Sequence, residues 1–229
     1  MISRVAVVPH PPLLVPELVG GAVAETQAVR AACLAAARDL AAHDLDWTAV
    51  AADPTGPRVL ENVAGSFLGF GVDVPVSLSA EPSSVEPAMP LPALVAGWLR
   101  EHAGARSVRV HLVPPDLPTA DCVALGAELG ASGNRALLVL GDGSHRHGEQ
   151  AVGRPDDRAG SFDDGVRAAL VHADAEALKA LDPVVADELG AAGRAAWQVL
   201  AGVPGPWRCT RSEFSAPFGV GYHVAVWEA

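Results

Sequence analysis

The sequence predicts an α/β fold: one mixed central sheet flanked by helices, formed as a single domain over residues 1–229. Three observations predict it. Short apolar runs bounded by turn residues alternate with longer Ala/Leu-rich stretches of helical period, the pattern of strands and helices taken in turn. Half of the 229 residues are apolar, which is enough for one large core. The last two strand-like runs are separated only by Ala-Pro-Phe-Gly, which suggests an antiparallel hairpin closing an otherwise mixed sheet.

Taken in order, the predicted strands are residues 4–8, 47–52, 74–78, 107–113, 135–140, 207–215 and 220–227. Each is a run of β-branched or other apolar residues, or an alternation of apolar with polar ones, and those at 4–8, 47–52, 107–113 and 135–140 stop at Pro, Gly or Asp. Between them, residues 22–42 read as an amphipathic helix, because Val29, Cys33, Ala36 and Leu40 recur at helical spacing. Further helices are predicted at 93–102, 121–130, 161–181 and 183–200. Ser161 is the expected N-cap of the fourth, with Asp163 and Asp164 placed favourably in its first turn. The Pro/Ser/Glu-rich segment 79–92 is short and strand–helix patterning resumes after it, so it reads as a surface loop rather than a linker.

Charge and composition narrow the function. A net charge of −11, with no Lys/Arg cluster, argues against nucleic acid as a partner, since phosphate neutralisation needs a basic surface. The apolar run near the start is cut by Pro9, Pro11 and Pro12, which a signal-peptide core tolerates badly, so export is not expected. No apolar run approaches the ~20 residues that span a bilayer. A soluble, cytoplasmic protein without membrane contact is the expectation. Cys33, Cys122 and Cys209 are odd in number and widely spaced, which suggests small core residues rather than disulfides or a zinc site.

The chemically loaded stretch is Leu-Gly-Asp-Gly-Ser-His-Arg-His-Gly-Glu-Gln, residues 140–150, directly after a buried-looking strand. His145 and His147 stand at i and i+2 and point the same way in extended backbone, so the pair could hold a metal, or His145 alone could act as acid or base. The alternative is an Asp-Gly turn with solvated histidines. His10 falls where two prolines stop the first strand, at the carboxyl end where open α/β sheets place ligands; a structural histidine is the alternative there too. His43, His102, His111, His172 and His223 read as structural. A metallophosphoesterase, suggested by Gly-Asp-Gly-Ser-His, has the fewest ligands in place. Ser144 lies in no Gly-x-Ser-x-Gly elbow, and no phosphate-binding Gly loop is present.

Three segments together, VPHPPLLVPEL near the start, LLVLGDGSHRHGEQAVGRPDDRAGSFDDGV in the middle and SAPFGVGYHVAVW near the end, resemble the class III extradiol ring-cleavage dioxygenase B-subunit family. The first is similar to its His-x-Pro. The second is similar to its Gly-x-x-Ser-His followed by a Phe-Asp, here Phe162 and Asp163. The resemblance implies a mononuclear Fe(II) held by two His and one carboxylate, with positions left open for a catechol and dioxygen. It implies His10 as the first metal ligand, His145 as the acid/base, and Ser144 and His147 as substrate contacts.

This chain departs from the family at the other ligands. After the second strand, where the second His is expected, Asp53 is the only ligand type. The carboxylate position falls on Ala192, with Glu188 one helical turn earlier. The middle-chain active-site His, expected near PPDLPTADC, is also missing. Two readings stay open. If His10, Asp53 and Glu188 converge, the protein is a metal-dependent ring-cleaving oxygenase acting on a small catechol-type molecule, with Fe(II), Mn(II) or Mg(II) in a carboxylate-rich site. If they do not, it is a catalytically inactive, metal-free relative that binds a small molecule or a partner. The resemblance further implies self-association into a homo-oligomer or pairing with a small second subunit.

Overall fold

The computed structural model of the protein describes residues 1–20 and 24–229. In chain order it contains β1 (Arg4–Val8), α1 (Ala24–His43), β2 (Asp46–Ala52), β3 (Arg58–Leu60), β4 (Val63–Ser66), β5 (Pro75–Ser77), β6 (Ser84–Val85) and α2 (Leu91–Ala103). There follow β7 (Ser107–Val113), α3 (Thr119–Ala131), β8 (Ala136–Leu140), α4 (Arg158–His172), α5 (Ala175–Lys179), α6 (Pro183–Glu188), α7 (Arg194–Gly202), β9 (Arg208–Ser215) and β10 (Tyr222–Glu228). No helix among the described residues is long and apolar enough to cross a membrane.

The predicted mixed sheet is present. Seven strands lie in the order β3-β7-β2-β8-β1-β10-β9. The central four, β7, β2, β8 and β1, are parallel, and β10 and β9 add antiparallel at one edge as the expected hairpin. Parallel strands covered on both faces must be apolar throughout. All five residues of β8 are accordingly buried.

Alternate side chains feed two cores. Ala6 and Val8 of β1, with Leu138 and Leu140 of β8, pack under α1 and α2. Val5 and Val7, with Leu137 and Val139, face the opposite layer, built from α3, α4, α5 and α7 around Trp197 and Trp227. In α1, Val29, Cys33, Ala36 and Leu40 are all buried, as their spacing predicts; the predicted start of that helix at 22 lies outside the described residues.

Four expectations change. The run at 74–78 joins a separate three-stranded sheet, β5-β4-β6, instead of the central one. The segment 79–92 is not all surface: Met89 and Pro90 are buried beside that small sheet. The helix predicted at 161–181 begins at Arg158, so Ser161 is not its cap, and it breaks at Ala173, whose φ of 51° is left-handed. The helix predicted at 183–200 divides into α6 and α7, separated by the turn through Gly190.

Candidate ligand cleft

The parallel register pairs Val8 of β1 with Leu140 of β8. Residues two positions beyond each strand therefore meet, and these are His10 and Asp142. The His10 backbone N–H donates to Asp142 Oδ1 at 2.9 Å. From here the chain leaves β1 towards the α1–α2 layer and leaves β8 towards the opposite layer, so the two exits part and open a crevice. Such a switch point at the carboxyl ends of strands is where open α/β sheets take ligands.

The loop after β8 is held on both sides. Gly143 N–H donates to Gly221 O at 2.7 Å, and Gly221 N–H returns a bond to Ser144 O at 2.8 Å. His145 N–H donates to Leu189 O at 3.2 Å, and Gly193 N–H to Asp142 O at 2.8 Å. Beneath the loop lies Asp163 of α4, fully buried. Its Oδ2 accepts from Ser144 N at 3.0 Å and pairs with His147 Nε2 at 2.6 Å, while Oδ1 pairs with His223 Nε2 at 2.9 Å. A carboxylate can be buried when its lone pairs are satisfied in this way. Gly143 and Gly221 make the approach possible, since a Cβ on either would lie 2.3 Å from a carboxylate oxygen of Asp163.

Above this platform is an open cleft of about 590 Å³. Its walls are largely apolar, with Pro12, Leu13, Leu91, Val152 and Phe218 among them, and its polar groups include Asp142, His145 and Tyr222. The His145 ring rests on Gly190, where φ is +63° and a Cβ would fall 2.1 Å from Nε2; only glycine suits both the turn and the ring. Burial, and then the nearby Arg146, hold the His145 imidazole below its ordinary pKa, which favours the neutral ring. Burial, and then Asp142, push the Tyr222 phenol up, so it is a neutral hydroxyl at physiological pH. Phe218 lines the cleft from a left-handed backbone, φ 59° and ψ 27°, that a bulky residue rarely adopts. Strain of this kind clusters at ligand sites.

The predicted site residues separate. His145 lines the cleft. His10 is buried just behind Asp142, its Nε2 3.9 Å from Asp142 Oδ2 and its Nδ1 without a hydrogen-bond partner among the described residues. Ser144 is not placed to touch a ligand: it is fully buried, its Oγ donating to Leu189 O and accepting from Arg146 N–H. His147 is turned inward onto Asp163. Asp53 caps its own turn, with Oδ1 accepting from the N–H and hydroxyl of Thr55. β2 is separated from β1 by β8, so Asp53 stands two strands, roughly 10 Å, from His10. Glu188 ends α6 on the exposed surface, paired with Arg158 at 2.8 Å.

The triad of His10, Asp53 and Glu188 is thus not assembled, and the donors present do not fit the mononuclear site the resemblance implies. Among the described residues no group of three or more His, Cys, Asp or Glu could hold a metal ion. Ala192, where the resemblance would put a carboxylate, lines the cleft with a methyl group. In the sequence Asp142 reads as part of a turn and Tyr222 as part of a strand. The signal for Asp142 was available: it stands two residues past β8 as His10 stands two past β1.

The arrangement is therefore an α/β sheet with helices on both faces and a ligand-sized cleft at a strand switch point. No protein family model matches the chain, and no curated protein matches it. Among solved structures it is similar to the uncharacterized protein JW3007 from Escherichia coli K12, at 12% identity and a TM-score of 0.58, over 99% of this chain and 100% of that one. At that identity the likeness shows the shared fold.

Proposed function

We propose that the cleft binds a small organic molecule by its apolar wall, with Asp142 and His145 as polar anchors and no resident metal ion. On this reading the chain is a divergent, catalytically inactive relative of the class III extradiol dioxygenase B-subunits, which keeps the scaffold for binding. The observation that carries it is Ala192, a methyl on the cleft wall where the resemblance would put the metal-binding carboxylate. The separate engagements of Asp53 and Glu188 support it. It works in the cytoplasm on a soluble ligand, as a homo-oligomer or beside a small second subunit. The charge of −11 disfavours nucleic acid.

One observation favours a second reading, a ring-cleaving oxygenase on a catechol-type molecule: the buried His10 Nδ1 has no partner among the described residues, as a metal ligand without its metal would have. Anaerobic incubation with Fe(II), desalting and iron analysis separate the two. The metal-free reading predicts no more iron on the wild type than on His10→Ala. About one iron per chain, lost in the variant, would overturn it in favour of the oxygenase.

A further inference from the structure

We propose that the ligand of this cleft is an amine, bound as its ammonium ion against Asp142, with a small apolar or aromatic body lying along the wall. The inference rests on the reading of the cleft as a ligand site and adds the charge of what enters it.

The charge of the wall points there. Asp142 is the one carboxylate among the described residues lining the cleft, and no Arg or Lys lines it. The Asp142 side chain keeps 18% of its surface exposed. Its Oδ1 is engaged by the His10 N–H, but Oδ2, 3.9 Å from His10 Nε2, lies outside hydrogen-bond range of that ring and retains its capacity to accept. The Arg30 guanidinium is committed to the backbone carbonyls of Leu13 and Leu14, at 3.2 and 2.6 Å, and that of Arg146, whose charge reaches His145, donates to the Arg154 carbonyl at 3.0 Å.

Neighbouring groups respond to the negative field. Burial and then Asp142 raise both the Cys33 thiol and the Tyr222 phenol, and Glu213 adds to the effect on Cys33. A half-buried carboxylate in a low-dielectric wall attracts a cation far more strongly than one in bulk water. Tyr222 and Phe218 supply aromatic rings beside it, and ring faces attract ammonium groups. An anionic ligand would meet the Asp142 carboxylate with no Arg or Lys among the described residues lining the cleft, and a neutral one would leave Oδ2 without a hydrogen-bonded cation.

The test uses three probes that share one phenyl body: phenethylamine, 2-phenylethanol and 3-phenylpropanoate. Each is titrated calorimetrically into the full chain at neutral pH, in low salt with a chelator present. The amine should bind about tenfold or more tighter than the other two, the margin of a hydrogen bond to a charged group. Asp142→Asn, which keeps Oδ1 for the His10 N–H, should weaken the amine about tenfold or more and the alcohol much less, so that the preference for the amine is lost. If that variant does not fold, rising ionic strength on the wild type should weaken the amine and spare the alcohol. Equal affinities, a preference for the carboxylate, or an amine affinity indifferent to both salt and Asp142→Asn would overturn the amine while leaving the ligand cleft standing. Failure of all three probes to bind at millimolar concentration would overturn both.

Discussion

Asp163→Ala is expected to cost about 3–5 kcal/mol of folding stability, the usual loss when one member of a buried charged network is removed. The carboxylate is fully buried and meets His147, His223 and the Ser144 N–H at 2.6–3.0 Å. Truncation leaves the buried His223 ring and Ser144 N–H, with the half-buried His147 ring, facing the space the carboxylate filled. Asp163→Asn should cost less, about 1–3 kcal/mol, because its carbonyl still accepts and an imidazole can change tautomer to accept from the new amide. Urea unfolding of the three proteins checks the ranking. An Ala variant within about 1 kcal/mol of wild type would mean that the network is not what holds the loop to α4. The effect reaches the cleft, since the same loop carries Asp142 and His145.

Trp197→Ala is expected to cost a similar amount, about 3–5 kcal/mol. Trp197 is fully buried on α7 and stands edge-on to His223, with ring centroids 5.6 Å apart. Its ring lies under the backbone of Gly141 and Gly193, the two segments that support the cleft floor. The indole N–H has no hydrogen-bond partner among the described residues. Trp197→Phe should therefore be much milder, because it removes an unsatisfied donor together with part of the ring. Chemical denaturation of both variants distinguishes a packing role from a hydrogen-bonding one: a Phe variant as unstable as the Ala variant would contradict the packing account.

The parts of the fold legible in the sequence are those whose burial leaves a local signature. β1, β2 and β8 are largely apolar because parallel strands are covered on both faces, β7 alternates buried Val108, Val110 and Leu112 with the more exposed Arg109 and His111, and the limits of all four fall within a residue or so of those expected. β3 and β4 left no such trace: they are short, and Val59 is half exposed. The break after α4 lies at Ala173, a residue with no intrinsic preference for left-handed backbone, so only the following Asp174, which caps Ala177, hinted at it. The break after α6 was written in Leu-Gly-Ala-Ala-Gly, yet the helical spacing on either side obscured it. Glu188 shows the consequence. It was placed by helical spacing from Ala192, but the helix ends between them and its side chain turns to Arg158.

The site divides along the same line. His10 and His145 could be placed at carboxyl ends of strands, because strand ends are local. That Asp142 meets His10, and that Asp163 gathers His147 and His223, depends on which strands are neighbours and on where α4 begins. Neither is set by nearby residues. Ser144 and His147 point inward for the same reason: the partner that claims each is distant in sequence, Leu189 for one and Asp163 for the other.

The most direct test of the account is an amide-resonance titration of the chelator-treated protein with phenethylamine. The account predicts saturable shifts centred on Gly143, His145, Val152, Gly190 and Phe218, the residues around the cleft, without added metal. Shifts that gather elsewhere, or that appear only after Fe(II) is supplied, would contradict a metal-independent ligand site at this strand junction.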